Sequence, residues 1–331
     1  MGSLADDTIA DLLEGPVKHK GNRAANRERA RRVASRVPEV MVKITGNAKG
    51  ADHVQSHLDY ISRNGKLELE DERGDVIKGE DEVRALARDW SQDQGKRRKN
   101  TRDTTNIVMS MPAGTEPHDV KNAVRAFAKR QFGQNQQYVM ALHTDTESPH
   151  VHLTVKNLGY DGRRLNVKKG DPQKWREAFA VELERRGVEA EATPRVTRGV
   201  IKRGVNQVVH HIREKGQTPQ VDQAKVREVL EDFRDQRTGK APKPRPWEDH
   251  IEERQTYVRK AWLTAAKDLA QSRDPYDQEL AKRIVAFVGS MPPMKAERHE
   301  LQEKVAGRLQ GSAQTHQGVE KGRAQGHQDE R

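Results

Sequence analysis

Between residues 38 and 160 the chain repeatedly places apolar side chains at every second position, a period that is typical of half-buried β-strands. The first such stretch contains Val40, Val42 and Ile44 and ends at the turn residues Gly46–Asn47. The same alternation recurs three times further along, the last two times in close succession. It predicts strands over residues 40–44, 105–111, 137–143 and 149–156.

Around these strands the apolar residues recur every three to four positions, which indicates amphipathic helices. Val54, Leu58 and Ile61 form one such stripe, and a polar stretch over 66–79 resembles a hairpin. The order of elements predicts an α+β domain over residues 38–200, with a mainly antiparallel sheet covered by helices on one face. Its helices are predicted over 51–63, 80–90, 115–132 and a last segment that ends at Gly187.

Outside this domain the strand pattern is missing. Residues 201–310 are predicted to be a helical C-terminal region with a proline-rich linker near 242–246, and residues 311–331, rich in Gln, Gly and His, to be a disordered tail. Residues 1–37 are predicted to be a basic N-terminal arm, because eight Lys and Arg follow an acidic start and no apolar stripe offers an anchor. The C-terminal helices are predicted over 219–236, 247–272, 275–289 and 294–309.

Composition narrows the class of partner. The 331 residues carry 61 Lys and Arg against 50 Asp and Glu, a net charge of +11, and nucleic-acid phosphates are the usual partners of such a surplus. A soluble basic protein or one that visits an anionic membrane surface would share this balance. The chain has no cysteine, an acidic start and no apolar run near the roughly 20 residues that span a bilayer. We therefore expect a cytoplasmic protein with no membrane insertion.

A histidine cluster carries the candidate chemistry. His150 and His152 lie two apart on a predicted strand and so share one face of the sheet, and a hairpin closed by residues 144–149 would bring His143 beside His150. Three imidazoles with open positions are typical of a catalytic site for Mn²⁺ or Mg²⁺, with Zn²⁺ or Ni²⁺ possible in vitro. Asp145 is either a hydrogen-bond acceptor for one of these histidines or an ordinary turn residue. The alternative for the cluster is a group of surface histidines near a turn.

A metal ion beside a basic surface suggests phosphodiester chemistry. Of the five tyrosines, Tyr60 ends the first predicted helix of the sheet domain and is followed by Arg63 and Lys66, which could hold a phosphate. From the residues alone, a tyrosine packed in the core is the more common role for this position. A basic loop over 95–102 offers further phosphate contacts, namely Lys96, Arg97, Arg98 and Lys99.

Three ordered segments resemble the motifs of the MobP-type relaxases, the MobA/VirD-like mobilisation nucleases of the HUH-endonuclease superfamily. They are Leu58-Asp59-Tyr60-Ile61-Ser62-Arg63-Asn64-Gly65-Lys66, Ser110-Met111-Pro112-Ala113-Gly114-Thr115 and His143-x-Asp145-x₄-His150-x-His152. The resemblance covers roughly residues 40–200. It implies an HUH-endonuclease-like sheet with Tyr60 as nucleophile and Ser110 contacting DNA near the nick. It also implies metal binding by His143, His150 and His152, supported by Asp145.

The same resemblance implies a function. A relaxase nicks one DNA strand, which it binds in single-stranded form, at an origin of transfer. With the help of a divalent metal it forms a 5′-phosphotyrosine intermediate. The reaction serves conjugative transfer or mobilisation of a plasmid or integrative element. Accessory relaxosome proteins, a coupling protein and a type IV secretion apparatus are the implied partners, with passage of the DNA-bound protein to a recipient cell. A rolling-circle replication initiator, a transposase and a non-catalytic nucleic-acid-binding protein stay open as alternatives.

Overall fold

Strands and helices alternate over the middle of the chain, and helices prevail on either side. The computed structural model describes residues 4–14, 23–92, 100–201, 205–241, 244–294 and 297–308. In chain order the elements are α1 (Leu4–Glu14), α2 (Arg23–Ala34), β1 (Met41–Gly46), α3 (Ala51–Ile61), β2 (Leu69–Asp71), β3 (Val76–Ile77), α4 (Glu80–Gln92), β4 (Thr104–Ser110), α5 (Pro117–Gln131), β5 (Tyr138–His143), β6 (His150–Lys156), α6 (Asp171–Glu184), α7 (Gln207–Glu214), α8 (Gln220–Arg237), α9 (Pro246–Ala270) and α10 (Pro275–Gly289).

The chain divides into two compact units whose boundaries differ from the predicted ones. The sheet unit is Arg32–Thr193, and the helical unit combines Met1–Arg31 with Pro194–Arg331. The tail over 311–331 lies outside the described residues. None of the helices in the described part of the chain is long and apolar enough to cross a membrane.

The sheet unit holds six strands in the order β1-β4-β6-β5-β2-β3, with antiparallel pairing throughout. The central strand β6 pairs with β4 on one side and with β5 on the other. The four strands predicted from the alternating pattern are present as β1, β4, β5 and β6, and the predicted polar hairpin is the short β2–β3 pair. The α+β class with an antiparallel sheet and a helical C-terminal region is therefore confirmed.

Helices cover both faces of this sheet, whereas the sequence predicted them on one face. On the first face α5 and α6 pack their buried residues, such as Phe127 and Phe179, on Leu153 and its neighbours. On the opposite face α3 and α4 pack against Val139 and Ala141 of β5. The reason is that β5 carries apolar residues at successive positions and is buried on both sides.

The described part of the predicted basic arm is folded, which corrects the expectation of an unanchored extension. In the helical unit α1 packs on α9 and buries four apolar residues on one stripe. Arg27 of α2 donates hydrogen bonds to Asp6 of α1 and Asp277 of α10, at 2.8 Å each, and so ties three helices together. Both aspartates are buried, and an ion pair there is costly to break. The four buried apolar residues are Ala5, Ile9, Leu12 and Leu13.

Candidate active site

Three histidines meet on the sheet face that α3 partly covers. His143 is the last residue of β5 and pairs in the ladder with His150, the first residue of β6, while His152 lies opposite Ala141. One ring nitrogen from each imidazole lies within 4.8 Å of the other two. The ring centroids are 4.4 to 5.3 Å apart. The hairpin proposed from the sequence therefore brings all three rings together.

In His143 and His150, hydrogen bonds to backbone carbonyls determine which ring nitrogen carries the lone pair. The Nε2 atom of His143 lies 2.8 Å from the carbonyl oxygen of Ile61, and Nδ1 of His150 lies 3.1 Å from that of Ser148. A carbonyl oxygen only accepts, so each of these nitrogens carries a proton. The lone pairs are then on the opposite nitrogens, Nδ1 of His143 and Nε2 of His150, the pattern usual in metal-binding histidines.

The environment keeps two of these imidazoles, those of His143 and His152, neutral, as metal ligands must be. Burial lowers the pKa of His152 to about 3, with further lowering by the neighbouring His143 and His150. Burial also lowers the pKa of His143, more than its bond to Ile61 raises it. The Nε2 atom of His152 is buried and has no hydrogen-bond partner among the described residues. Three converging imidazole nitrogens, one of them buried and without a partner among the described residues, fit a divalent cation.

Tyr60 lies directly beside this cluster on the last turn of α3. Its side chain is 53% exposed, and its ring centroid is 5.5 Å from that of His152 and 6.3 Å from that of His143. The next residue, Ile61, is fully buried and supplies the carbonyl oxygen that His143 contacts. One turn of helix therefore both presents the phenol and holds the first histidine.

Asp145 pairs with Arg63 and not with a histidine, which differs from the predicted role. A guanidinium nitrogen of Arg63, Nη2, donates to the carboxylate of Asp145 and also lies 3.2 Å from Nδ1 of His143. Burial acts to raise the pKa of Asp145, but the charge and hydrogen bond of Arg63 outweigh it and the pKa is lowered. The Arg63 guanidinium also lies over the Tyr60 ring, 5.1 Å from its centroid.

Of the other residues predicted to contact DNA, only some lie near the histidine cluster. Ser110 ends β4 opposite His150 and is buried, so it adjoins the histidines across one strand spacing. Lys66 is exposed beyond the turn that follows α3. The four basic residues of the predicted loop, Lys96, Arg97, Arg98 and Lys99, lie outside the described residues.

His57 is a site residue that the sequence interpretation missed. It lies one turn before Tyr60 on α3, with a ring centroid 6.4 Å away, and its Nε2 atom is 2.9 Å from the hydroxyl oxygen of Thr154. Burial lowers the pKa of His57 to about 4, so the ring is neutral at pH 7. The spacing of three from Tyr60 could have indicated it, because residues three apart on a helix share a face.

The part of the chain that holds this site is similar to known proteins. Residues 60–187 match the family described as "Relaxase: MobA/VirD2-like, nuclease domain". The T-DNA border endonuclease VirD2 of Rhizobium radiobacter is 29% identical over 55% of this chain and 48% of its own length. The VirD2 proteins of Agrobacterium fabrum and Rhizobium rhizogenes are 28% and 29% identical over 46% and 43% of their lengths. The chain thus spans about half the length of these relatives.

A solved structure described as "Molecular Basis of Vancomycin Resistance Transfer in Staphylococcus aureus" is also similar. It is 15% identical, with a TM-score of 0.32, over 47% of this chain and 98% of that one. The matched residues 60–187 include Tyr60, Arg63 and all three histidines of the cluster. Residues 60–187 therefore resemble the nuclease domain of the MobA/VirD2-like relaxases.

Proposed function

We propose that the protein is a relaxase with Tyr60 as nucleophile. It binds one DNA strand in single-stranded form at an origin of transfer, cuts that strand and rejoins it. The main support for this proposal is the exposed phenol of Tyr60 beside three converging histidines within the matched nuclease region. A tyrosine that only stabilised the core would be buried, as Tyr138 is.

The chemistry follows from what each group can supply. The phenol of Tyr60 loses its proton to solvent as its oxygen attacks the scissile phosphorus in line. A Tyr–O–P bond forms, the P–O3′ bond breaks, and the 3′ oxygen leaves as a hydroxyl after gaining a proton. The strand then ends in a 5′-phosphotyrosine, and reversal of the step rejoins it without a nucleotide cofactor. A bound Mn²⁺ or Mg²⁺ supplies Lewis-acid stabilisation of charge on the phosphate oxygens. His143, His150 and His152 would hold that cation.

Other residues of the chain orient the DNA in this proposal. Ser110, one strand away from His150, contacts DNA near the nick. The exposed Lys66 and the basic loop 96–99 bind backbone phosphates, which positions the strand without reading its sequence. Accessory relaxosome proteins, a coupling protein and a type IV secretion apparatus complete the proposed transfer of a plasmid or integrative element. The similar proteins are T-DNA border endonucleases, which favours transfer over rolling-circle replication or transposition.

The proposal is tested by incubating the full-length protein with Mn²⁺ and a labelled single-stranded oligonucleotide that carries the origin sequence. Wild type should give a complex that survives denaturation, and Tyr60→Phe should give none while binding the oligonucleotide normally. Tyr160→Phe is the matched control, because Tyr160 is equally exposed (59%) but bonds to Glu72 away from the histidines. An undiminished adduct in Tyr60→Phe would refute the assignment of the nucleophile. A mating assay then separates transfer from replication or transposition.

A further inference from the structure

The guanidinium of Arg63 contacts a ring nitrogen of the histidine cluster that is a candidate metal ligand. Since Nε2 of His143 donates to the carbonyl oxygen of Ile61, the lone pair of this ring is on Nδ1. That is the atom that Nη2 of Arg63 approaches at 3.2 Å. One lone pair serves one strong partner at a time, so a cation and the guanidinium compete for the same nitrogen.

The backbone holds Arg63 in this position. Arg63, Asn64 and Gly65 all have left-handed φ values, of 53°, 56° and 76°. Such a conformation costs roughly 1–2 kcal/mol at each residue other than glycine. The turn is closed by hydrogen bonds from the amide of Asn64 to Asp59 and from that of Leu67 to Ser62, each 2.7 Å long. A side chain at Gly65 would lie 2.4 Å from the backbone nitrogen of Glu80, so the turn is also packed tightly.

The positive charge matters as much as the hydrogen bond. A guanidinium beside His143 repels a divalent cation at the same ring, and Arg63 cannot lose its charge. Asp145 neutralises part of that charge and keeps the guanidinium at the cluster. Here the strained backbone places a cation on a candidate metal ligand, and strain of this kind is common at active sites and at sites that switch.

We infer that Arg63 is an internal competitor of the divalent cation: it occupies Nδ1 of His143, and cation binding releases it from that ring beside Tyr60. This inference rests on the proposed metal site and adds a regulatory residue to it. Cation binding to the histidines is then coupled to the release of the Arg63 guanidinium, which lies 5.1 Å from the Tyr60 ring. The released guanidinium can bind the phosphate that Tyr60 attacks. The coupling is reciprocal, so a phosphate that draws Arg63 away strengthens cation binding.

The competition is measured by calorimetric titration of the full-length protein with Mn²⁺ in the absence of DNA. Arg63→Gln removes the charge and the guanidinium that contacts Nδ1, and it should bind Mn²⁺ about tenfold more tightly, the size of one charge-assisted hydrogen bond. The matched control is Lys43→Gln. Lys43 is exposed on the same sheet face and lies two strands from His152, roughly 10 Å away, where a charge is largely screened. Its affinity should stay within about twofold of wild type.

A second measurement identifies the ligand atom. In ¹⁵N spectra of histidine side chains, diamagnetic Zn²⁺ should change the chemical shift of Nδ1 of His143. The Nε2 atom should stay protonated and donate to the carbonyl oxygen of Ile61. Coordination through Nε2 would overturn the inference, as would equal or weaker Mn²⁺ binding by Arg63→Gln or equally tighter binding by Lys43→Gln. If wild type and Arg63→Gln both fail to bind Mn²⁺, the metal site itself is refuted and the inference with it. If the titrations give the expected affinities but wild type forms no covalent adduct with DNA, only the assignment of Tyr60 as nucleophile is refuted.

Discussion

The buried imidazole of His57 makes a quantitative prediction about acid stability. The unfolded chain takes up a proton at this residue near the ordinary pKa of about 6.5, but the folded protein does so only near pH 4, because burial lowers the pKa. Stability is therefore complete above about pH 6.5 and is lost as the pH falls toward 4. The two values give a loss of about 2 kcal/mol at pH 5 from this residue alone.

The test compares wild type with His57→Gln, whose amide can keep a hydrogen bond to Thr154 but cannot titrate. The fall in unfolding free energy between pH 7.5 and pH 5 should be about 2 kcal/mol smaller in the variant. Because the chain has two units, the free energy is best taken from pulsed hydrogen exchange of the β5 and β6 peptides along a urea series. A chelator keeps cation binding out of the measurement.

The matched control is His118→Gln, which removes an exposed imidazole from α5 in the same unit. It should leave the pH dependence as it is in wild type. An equal loss of stability in wild type and His57→Gln would refute the reasoning, since it would mean that His57 is charged in the folded protein at pH 5.

Four further outcomes are expected. Gly65→Ala should destabilise the sheet unit by more than about 2 kcal/mol in a urea titration, because φ is 76° and a Cβ would lie 2.4 Å from the nitrogen of Glu80. Arg27→Ala should destabilise the helical unit by about 2–3 kcal/mol in the same assay, since it removes the guanidinium that pairs with two buried carboxylates. His150→Ala should weaken Mn²⁺ binding in calorimetry more than the roughly tenfold expected for a supporting residue. A fragment of residues 32–193 should unfold cooperatively by calorimetry; a broad, uncooperative transition would show that the sheet unit needs the helical one.

The histidine cluster could be predicted because it depends on local geometry. Strand alternation places His150 and His152 on one face whatever the rest of the fold does, and a short turn forces His143 to pair with His150. The same alternation put Val139 and Ala141 on the histidine face. Those two apolar residues already indicated that something covers that face, and α3 and α4 do so.

The pairing of Arg63 with Asp145 and the folding of α1 could not be predicted in this way. Arg63 and Asp145 are 82 residues apart, and their contact depends on a left-handed turn that no sequence period marks. The apolar stripe of α1 is only a few residues long, and its partner, α9, lies far along the chain. Short elements of this kind are fixed by tertiary packing and not by propensity.

The helical unit is built from the two ends of the chain, which has a consequence for how the protein is made. The amide of Ala5 in α1 bonds to the carboxylate of Asp268 in α9, 263 residues later. At roughly 5–20 residues per second, a ribosome needs about 13–50 s to synthesise the intervening chain. During that time Ile9 and its apolar neighbours have no α9 to pack on, although all of the sheet unit emerges earlier than α9. Nascent α1 therefore lacks its packing partner for that time, and a stop codon before α9 leaves it permanently without that partner.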